Sequence, residues 1–375
     1  MKLGLVSGFV VLERDMLSYE ALSKHGIDVT IFSNQDYKLY GKLNLPIVLL
    51  KRWGQYNKIP VLNKGIQYFF PYDRWMFGLK KATKEMDFLN SWEIFNPFSY
   101  GAIKTGKPTV ITAIDNIPFN YRFSYNKIVT NVKEKAAHFI AGTNTAKYML
   151  MVEGIPEDKI SVIPLPVDTK RFKPITSNKD ILKKYSLPER SKKIFFTGRI
   201  LDSQKGVSDL VYAFYKLAKD KKNTILMIGG SGPDLPMIRS LVEKLGLQKK
   251  VHFLGFIPDD ELVEVYNACD IFCGPSRITK LWQEQFGYTM TDAMSCGKPV
   301  ISTLSGSIPD VVLHGKTGLL AGVENPHSLY KALLQLIDDD DLREKFGKNS
   351  RKFVEETMSV EIVAKKTADV YKKLH

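Results

Sequence analysis

The segment Glu284-Gln-Phe-Gly-Tyr-Thr-Met-Thr-Asp292-Ala-Met-Ser-Cys-Gly-Lys-Pro-Val-Ile301 places two carboxylates eight positions apart around a Phe-Gly turn. A helix, a turn of small residues and a buried strand are predicted to follow. Carboxylates at a junction between loop and helix can bind hydroxyl groups, and the amides that open a helix can bind an anion. The alternative is an ordinary exposed acidic pair, which the helix dipole favours at a helix start.

The length and composition are those of an ordinary globular protein with two domains. The chain has 375 residues, 44% of them apolar and 25% charged, which exceeds the size of one typical core. Its apolar runs are too short to predict a membrane-spanning helix. Three cysteines form no secreted-type disulfide pattern, so a cytoplasmic location is expected. The spacing of the six histidines predicts no metal site, and no cofactor is expected.

Strand and helix patterns alternate along the chain, which predicts an α/β fold with mostly parallel sheets. In the first half, strands are predicted at 2–6, 29–32, 47–50, 109–112, 139–142 and 161–165, and helices at 13–24, 74–85 and 145–153. In the second half, strands are predicted at 193–198, 224–229, 251–254, 271–273 and 300–302, and helices at 207–219 and 234–245. The predicted domains are 1–173 and 174–358, joined by a polar linker within 168–180, and the C-terminal segment 359–375 is predicted to contain a last helix at 360–374.

Two cations and two glycines mark the start of the second half. Gly198-Arg199 closes its first predicted strand, and Lys205-Gly206 opens the next helix. Ligands of open α/β sheets bind at this edge, where arginine, lysine and helix amides suit a phosphate. Alternatively, Arg199 and Lys205 are surface residues of a turn.

Two later turns give weaker signals. The cluster Gly229-Gly-Ser-Gly-Pro-Asp234 lacks the spacing of a dinucleotide-binding loop, because Asp234 stands near the third-glycine position, so a tight turn is the simpler interpretation. The segment Phe253-Leu-Gly-Phe256-Ile-Pro258 predicts a strand that ends in a turn, whose backbone could contact a nucleobase edge or serve no ligand.

In this order, the motifs resemble those of the retaining glycosyltransferases of the GT-B fold, in particular family 4. The resemblance is dense over 194–322 and runs through Gly-Arg…Lys-Gly, Gly-x-Gly-Pro, Phe-Leu-Gly, Pro-Ser, Trp-x-Glu-x-Phe-Gly and His-Gly-x-Thr-Gly-Leu-Leu. It is looser in the first half, where 159–168 and 171–174 carry it. It implies two Rossmann-like domains that face a central cleft, with the last helix crossing back to the first domain.

The resemblance also implies roles for single residues. Arg199 and Lys205 would neutralise the donor diphosphate, Glu284 would bind hydroxyls of the donor sugar, and Asp292 would bind the ribose. The remaining residues expected at the donor are Gly8 in the first loop, Phe256 near the base, and the backbone of Phe286, Gly287, Tyr288 and Thr289.

Two positions depart from the family pattern. Asp292 stands where the family usually has glutamate, so its ribose contact would be longer, water-mediated or reached by a shifted backbone. Ile114 stands where many members have a histidine, and it cannot make a polar contact with a sugar. The neighbouring Asp115 and Asn116 are therefore candidates on the acceptor side, although Asp115 could instead simply cap its loop.

The function implied is transfer of a hexose, with retention and without a metal, from a UDP-glucose-like or GDP-mannose-like donor to a glycan or lipid-linked acceptor. Nucleotide-sugar epimerase and phosphorylase are alternatives on the same fold, although a phosphorylase would usually need a cofactor lysine and a longer chain. The net charge of +14 also allows a nucleic-acid-binding protein.

The segment 51–84 interleaves aromatic residues with lysine and arginine. This composition suits an anionic bilayer surface or single-stranded nucleic acid, and it is equally typical of core aromatics beside a solvated cationic face. No base-reading motif accompanies it, so nucleic acid is not expected as a partner. We hypothesise that 51–84 contacts the cytoplasmic face of a membrane and helps to bind a lipid-linked acceptor.

Overall fold

The computed structural model describes residues 1–8, 10–35, 38–51, 76–176 and 179–375, except for the side chains of residues 10 and 11. The chain forms two compact units. The first consists of Met1–Pro166 together with Val360–His375, and the second of Val167–Ser359.

The first unit is built on a parallel sheet of seven strands in the order β5-β3-β1-β6-β7-β8-β9. A separate parallel pair joins β2 to β4. The described strands are β1 (Lys2–Val6), β2 (Val10–Leu12), β3 (Asp28–Asn34), β4 (Lys38–Tyr40), β5 (Ile47–Leu50), β6 (Phe88–Trp92), β7 (Thr109–Ala113), β8 (His138–Ala141) and β9 (Ile160–Val162).

Strand β6 lies at the centre of this sheet, between β1 and β7, and the sequence did not predict it. It carries Asn90 and Ser91 where a buried strand usually has apolar residues, and both are fully buried. Asn90 donates to the hydroxyl of Tyr371 over 2.9 Å, and Ser91 donates to the carbonyl of Val6 over 2.9 Å. Because these bonds satisfy the polar groups, the strand is tolerated in the core.

The helices of the first unit include one that the sequence predicted as a single α-helix. Residues 13–24 form an α-helix followed by a 3₁₀ turn, Ala21–His25, which ends at Gly26 with φ of 76°. The α-helices are Glu13–Glu20, Leu79–Ala82, Pro97–Lys104, Asn126–Lys135, Asn144–Val152 and Val360–Leu374. The helix predicted over 74–85 is thus described only as Leu79–Ala82.

The last helix, Val360–Leu374, belongs to the core of the first unit. Its Tyr371 is fully buried, and the ring lies 5.8 Å from that of Phe88 on β6. Val363 and Ala368 pack into the same cluster as Leu3 of β1. The end of the chain therefore completes the unit with which the chain begins.

The second unit repeats the parallel arrangement with six strands in the order β12-β11-β10-β13-β14-β15. Its strands are β10 (Lys192–Thr197), β11 (Thr224–Gly229), β12 (Val251–Gly255), β13 (Ile271–Gly274), β14 (Val300–Thr303) and β15 (Gly318–Ala321). Its described α-helices are Lys179–Lys184, Asp202–Lys205, Val207–Asp220, Leu235–Lys244, Asp259–Ala268, Tyr288–Ser295, Ile308–Val311, Pro326–Asp338 and Asp340–Thr357.

The helix Val207–Asp220 shows how the second unit is held together. Its Leu210, Phe214 and Leu217 follow helical spacing and are all fully buried against the sheet. Burying one such side chain contributes about 1.5–3 kcal/mol, so this single face stabilises the unit substantially.

The stretch predicted as a linker is packed onto the second unit. The amide of Val167 donates to Met358 over 2.8 Å, Phe172 is buried, and Arg351 donates to the carbonyl of Phe172 over 2.7 Å. In the structure, the two compact units divide between Pro166 and Val167.

Most of the segment 51–84 that was hypothesised to contact a membrane lies outside the described residues, namely 52–75. In its described remainder, Met76 and Leu79 are buried in the core of the first unit. Among the residues that the structure describes, no helix combines the length and the apolar character needed to cross a bilayer.

Both sheets reverse their strand order beside their first strand. In the first unit the reversal lies between β1 and β6, and in the second unit it lies between β10 and β13. The loops that leave these strands at the carboxyl edge form the crevice in which open α/β sheets bind their ligands. Each unit therefore has one such crevice, at the carboxyl edge of its sheet.

Candidate functional site

Hydrogen bonds connect the loops at the carboxyl edge of the second unit's sheet. The amide of Ile200, after β10, donates to Ser231 over 2.9 Å, and the amide of Gly230, after β11, donates to Gly255 over 2.6 Å. The amide of Arg277, after β13, donates to the carbonyl of Gln204 over 2.7 Å. Residues from four strand ends are thereby held in fixed relation.

The glycines of these loops allow the backbones to approach closely. Gly230 has φ of 109°, and a Cβ there would lie 1.9 Å from the carbonyl oxygen of Gly198. Gly206 has φ of 58°, and a Cβ there would lie 2.2 Å from the carbonyl oxygen of Pro275. Asp234, near the third-glycine position of a dinucleotide-binding loop, accepts a bond from the amide of Asp202 over 2.7 Å. Part of the glycine pattern therefore serves the packing of loop on loop.

Lys205 and Glu284 meet in this crevice. The ammonium of Lys205 donates to Oε2 of Glu284 over 2.6 Å, and the hydroxyl of Ser276 donates to the same oxygen over 2.7 Å. The two side chains retain 24% and 12% of their exposure, so both are reachable from solvent. The Lys205 nitrogen also lies 4.8 Å from the ring centre of Trp282. A cation, a carboxylate and an aromatic face thus line one small region.

Arg277 holds this region together, and no pattern in the sequence indicated it. Its guanidinium donates to both carboxylate oxygens of Asp209 over 2.7 Å each, to Asp202 over 3.1 Å and to the hydroxyl of Ser208 over 2.9 Å. The hydrogen bonds to Asp209 raise the pKa of Arg277 further above its ordinary value. Arg277 therefore joins the segment that carries Lys205 to the loop that carries Glu284.

The helix that follows Glu284 begins as the sequence predicted. Gly287 precedes it with φ of 84°, and the helix runs over Tyr288–Ser295. The ring of Phe286 is buried and lies 5.3 Å from the half-buried ring of Tyr288, and Thr289 is half-buried in the first turn. Asp292 is only 1% exposed.

Two further expected donor contacts lie on the loops of the same edge. Arg199 follows Gly198 directly after β10, and its side chain is exposed. Phe256 follows Gly255, which ends β12 with φ of 68°, and it is 77% exposed. An aromatic ring this exposed at a strand end is available to stack on a planar ligand.

The expected residues of the first unit lie on the corresponding loops of its own sheet. Gly8, after β1, packs against Phe98, since a Cβ at Gly8 would lie 2.9 Å from that ring. Asp115 and Asn116, after β7, are both buried. The Oδ1 atom of Asp115 accepts bonds from the amides of Asn116 over 2.8 Å and Ile117 over 3.3 Å. Of the two roles considered for Asp115, the structure shows the capping of the loop.

Glu93, the first residue after β6, was also missed. It has φ of 65°, which is unusual for a residue other than glycine. Its Oε1 atom accepts bonds from the amides of Ile114 over 2.8 Å and Asp115 over 3.2 Å. Its Oε2 atom is buried and has no hydrogen-bond partner in the described part of the chain. The only sequence signal was a carboxylate just after a strand that itself escaped prediction.

In the ranges that the structure describes, no group of three or more His, Cys, Asp or Glu residues could hold a metal ion.

Comparison with known proteins brings these features together. A sequence model of the glycosyl transferases group 1 matches residues 177–353, and a model of glycosyltransferase family 4 matches residues 19–171. The first match contains Arg199, Lys205 and Glu284, and the second contains Glu93 and Asp115.

Two relatives illustrate the range of similar proteins. The D-inositol 3-phosphate glycosyltransferase of Corynebacterium jeikeium is 36% identical over 197 residues, which are 50% of this chain and 46% of the relative. The GDP-mannose-dependent alpha-(1-6)-phosphatidylinositol monomannoside mannosyltransferase of Mycobacterium tuberculosis is 30% identical over 217 residues, 57% of this chain and 56% of the relative. The chain thus spans about half the length of the curated relatives it matches.

The fold is shared more widely than the sequence. The crystal structure of Anabaena HepE in complex with UDP aligns over 100% of both chains, with a TM-score of 0.76 and 17% sequence identity. Two Rossmann-like parallel α/β units are those of the GT-B fold, and the predicted fold class is thereby confirmed. The two family matches, which together take in most of the sequence, show that the chain belongs to the group 1 glycosyltransferases of family 4.

Proposed function

We propose that the protein transfers a hexose, with retention of configuration, from a nucleotide-diphosphate sugar to a hydroxyl group of a glycan or lipid-linked acceptor. The observation that supports this most is the pairing of Lys205 with Glu284 in the crevice where the strand order of the second unit reverses. A donor offers this crevice both an anionic diphosphate and a polyhydroxylated sugar, and the two side chains suit these parts separately.

The chemistry assigned to the cations is stabilisation of the leaving group. When the glycosidic bond breaks, negative charge develops on the diphosphate. Lys205, Arg199 and the amides that open the helix Tyr288–Ser295 would stabilise it without reorganisation. Three positive elements at one position could replace a divalent metal, so we propose a metal-independent reaction.

Glu284 is assigned to the donor sugar, and it is not the nucleophile in this proposal. Its Oε2 atom already accepts bonds from Lys205 and Ser276, which fixes the carboxylate in place. A diphosphate that draws Lys205 away would release that oxygen for a sugar hydroxyl. The acceptor hydroxyl then attacks the anomeric carbon from the face that the diphosphate leaves. It passes its proton to the leaving phosphate, and the configuration is retained.

The remaining donor contacts follow from their positions on the same edge. Phe256 would lie against the base, the backbone of 286–289 along the sugar and phosphates, and Asp292 near the ribose. The burial of Asp292 means that a ribose contact requires a small opening of its surroundings. In the first unit, Gly8 would lie near the phosphates, and Asp115 and Asn116 would lie on the acceptor side.

The donor base and the compartment are also proposals. One relative is named for GDP-mannose, and Anabaena HepE, which has the same fold, was solved in complex with UDP, so uridine and guanosine donors both remain candidates. Three buried, unpaired cysteines support a reducing cytoplasm, and we propose that the protein works at the cytoplasmic face of a membrane through 51–84.

A ligand screen followed by product analysis tests the proposal. UDP-glucose, GDP-mannose and related nucleotide sugars should raise the unfolding temperature of the wild type, because a ligand that binds the folded state stabilises it. Glu284→Gln should lower nucleotide release by a factor of about 10² or more, whereas the matched control Glu243→Gln, at an exposed position, should not.

Three results would point elsewhere. Conversion of the nucleotide sugar without nucleotide release would indicate an epimerase, and dependence on inorganic phosphate would indicate a phosphorylase. If no nucleotide sugar stabilises or is consumed by the wild type, the proposed function is wrong.

A further inference from the structure

The first unit has a crevice of the same kind, in which the proposed donor contacts account for Gly8 but not for Glu93. Its strand order reverses between β1 and β6, and the loops that follow these strands meet where Gly8 packs on Phe98. Glu93 lies in this position, directly after β6, and its amide donates to the carbonyl of Thr112 on β7 over 2.8 Å. Open α/β sheets bind ligands in such crevices.

The carboxyl group of Glu93 is fixed at one oxygen and unused at the other. Oε1 accepts two backbone amides, from Ile114 and Asp115, so the plane of the carboxyl group is set by the loop after β7. Oε2 is buried and has no hydrogen-bond partner among the residues that the structure describes. Buried polar atoms in native proteins are nearly always hydrogen-bonded, so an oxygen left in this state calls for a partner that is not part of the described chain.

The protonation of Glu93 decides which partner fits. Burial, assisted by the negative charge of Asp115, raises the pKa of Glu93 from 4.5 to about 8. Asp115 is the charged group that faces it from the loop after β7. The other described hydrogen bonds of Glu93 join its backbone to Asn96, Ser99 and Thr112, whose side chains do not titrate in this range. Near neutral pH Glu93 is therefore a neutral acid. Since Oε1 accepts two N–H bonds, the proton belongs on Oε2.

We propose that Oε2 of Glu93 is the anchor of a hydroxyl-binding subsite in the first unit, occupied by a hydroxyl group of the acceptor. The name of the ligand rests on the proposed function, because the proposed transfer needs a second, hydroxyl-bearing substrate. The geometry itself requires a small opening at the buried Oε2 atom and a neutral hydroxyl, which can accept the acid's proton in a hydrogen bond and donate to its oxygen in return. An anionic group is disfavoured, because Asp115 lies beside it.

The simpler interpretation is that Glu93 only anchors the loop that carries Asp115. Glu93→Gln separates the two roles. The glutamine keeps an oxygen that can accept both backbone amides, and it keeps a donor at the position of Oε2, but it cannot ionise. A purely structural residue and a hydroxyl anchor therefore differ in how ligand binding depends on pH.

The experiment measures binding of myo-inositol, a neutral polyol, by calorimetry at pH 7 and pH 9. It uses the full chain with Glu284→Gln as a common background, so that a sugar pocket in the second unit contributes little. We expect myo-inositol to bind the background protein at least ~5-fold more weakly at pH 9 than at pH 7, which corresponds to the loss of about one hydrogen bond. With Glu93→Gln added, binding should be retained at both pH values. With Glu93→Ala added, it should be weak at both.

The outcomes separate this inference from the proposed function. Absence of myo-inositol binding at 100 mM in the background protein, or the same pH dependence with and without Glu93→Gln, would overturn the subsite. Because the measurement uses no nucleotide sugar, it can succeed or fail whatever the donor screen gives. Should Glu93→Ala fail to fold, the comparison with Glu93→Gln still decides the result.

Discussion

Lys205 and Glu284 neutralise each other across 2.6 Å although they are 79 positions apart in the sequence. Both side chains are largely buried, so removing either one leaves a poorly solvated charge on the other. The sequence indicated each residue as a separate contact to the donor. The structure adds that the two side chains form an ion pair with each other.

Replacement of Lys205 tests this at the residue scale. Lys205→Met should lower the rate of nucleotide release by a factor of about 10²–10³, because the charge on the leaving diphosphate loses a nearby cation. Stability should also fall, by about 1–3 kcal/mol, because the largely buried Glu284 carboxylate loses a charged partner. Steady-state kinetics and urea unfolding measure both, with Lys244→Met, at an exposed position of the same unit, as the control. A normal rate in Lys205→Met would remove this residue from the site.

At the scale of elements, the loops after β10 and β13 are joined by charge and by close packing. Arg277 reaches Asp209 and Asp202, which are 68 and 75 positions away, so no local pattern could reveal the contact. Gly206 brings the helix that begins at Val207 against the carbonyl of Pro275. Two different forces, an ion-pair network and backbone packing, therefore hold the segments that carry Lys205 and Glu284.

Removing the Arg277 guanidinium should damage both stability and the site. Arg277→Met leaves the largely buried carboxylates of Asp202 and Asp209 uncompensated, which costs about 3–5 kcal/mol in comparable buried pairs. Adding Asp209→Asn should restore part of this loss, because it removes one of the stranded charges. Urea unfolding of the two single variants and the double variant measures the coupling. Strictly additive effects would contradict the network, and Arg239→Met, at an exposed arginine, serves as the control.

Gly206 offers a matched test of the backbone packing. Gly206 and Gly246 have similar φ values of 58° and 67°, but only Gly206 has an atom close to the position of a Cβ. Gly246→Ala should therefore cost only the left-handed conformation, about 1–2 kcal/mol. Gly206→Ala should cost clearly more and weaken binding of the nucleotide sugar, because Pro275 must move. Equal losses of unfolding free energy in the two variants would show that the close approach is unimportant.

The sequence predicted elements well where a single pattern was clear. Strands β1, β5 and β11 and the last helix have the predicted bounds, since each has an apolar pattern of the right period. Strand β6 was not predicted, because Asn90 and Ser91 are buried polar residues whose hydrogen-bond partners lie elsewhere in the chain. Glu93 directly follows this strand and was therefore not predicted as a site residue. In the site, single residues at strand ends were predictable, whereas contacts between distant residues depend on how the chain folds.

At the scale of the whole molecule, the two units share one plan but place different groups at the point where their strand order reverses. The second unit places there a cation and a carboxylate that pair, and the first places a carboxyl group that burial keeps neutral. The ion pair of the second unit suits an anionic ligand with hydroxyls, and the neutral acid of the first unit suits a neutral hydroxyl. The proposed transfer needs one of each, so the difference between the units corresponds to the difference between its two substrates.

The buried acid also predicts how stability depends on pH. Folded Glu93 binds its proton up to about pH 8, whereas the unfolded chain releases it near the ordinary value of 4.5. Between these values the folded state binds more protons, so this contribution is fully present below pH 4.5 and is lost as the pH rises through 8. The slope is about 1.4 kcal/mol per pH unit at most, a few kcal/mol in all. The glutamine of the Glu93→Gln variant cannot titrate, so the unfolding free energy of this variant should increase relative to that of the wild type as the pH rises.

Urea unfolding of the wild type, Glu93→Gln and the control Glu243→Gln at intervals from pH 5 to pH 9 measures this difference. All three proteins share the remaining titrating groups, so subtracting one curve from another isolates Glu93. Parallel curves for the wild type and Glu93→Gln would mean that Glu93 is ionised when folded, and the hydroxyl subsite would then lose the neutral acid on which it depends. A difference that grows with pH would instead show that folded Glu93 keeps its proton near neutral pH, which is the protonation state that the proposed hydroxyl subsite requires.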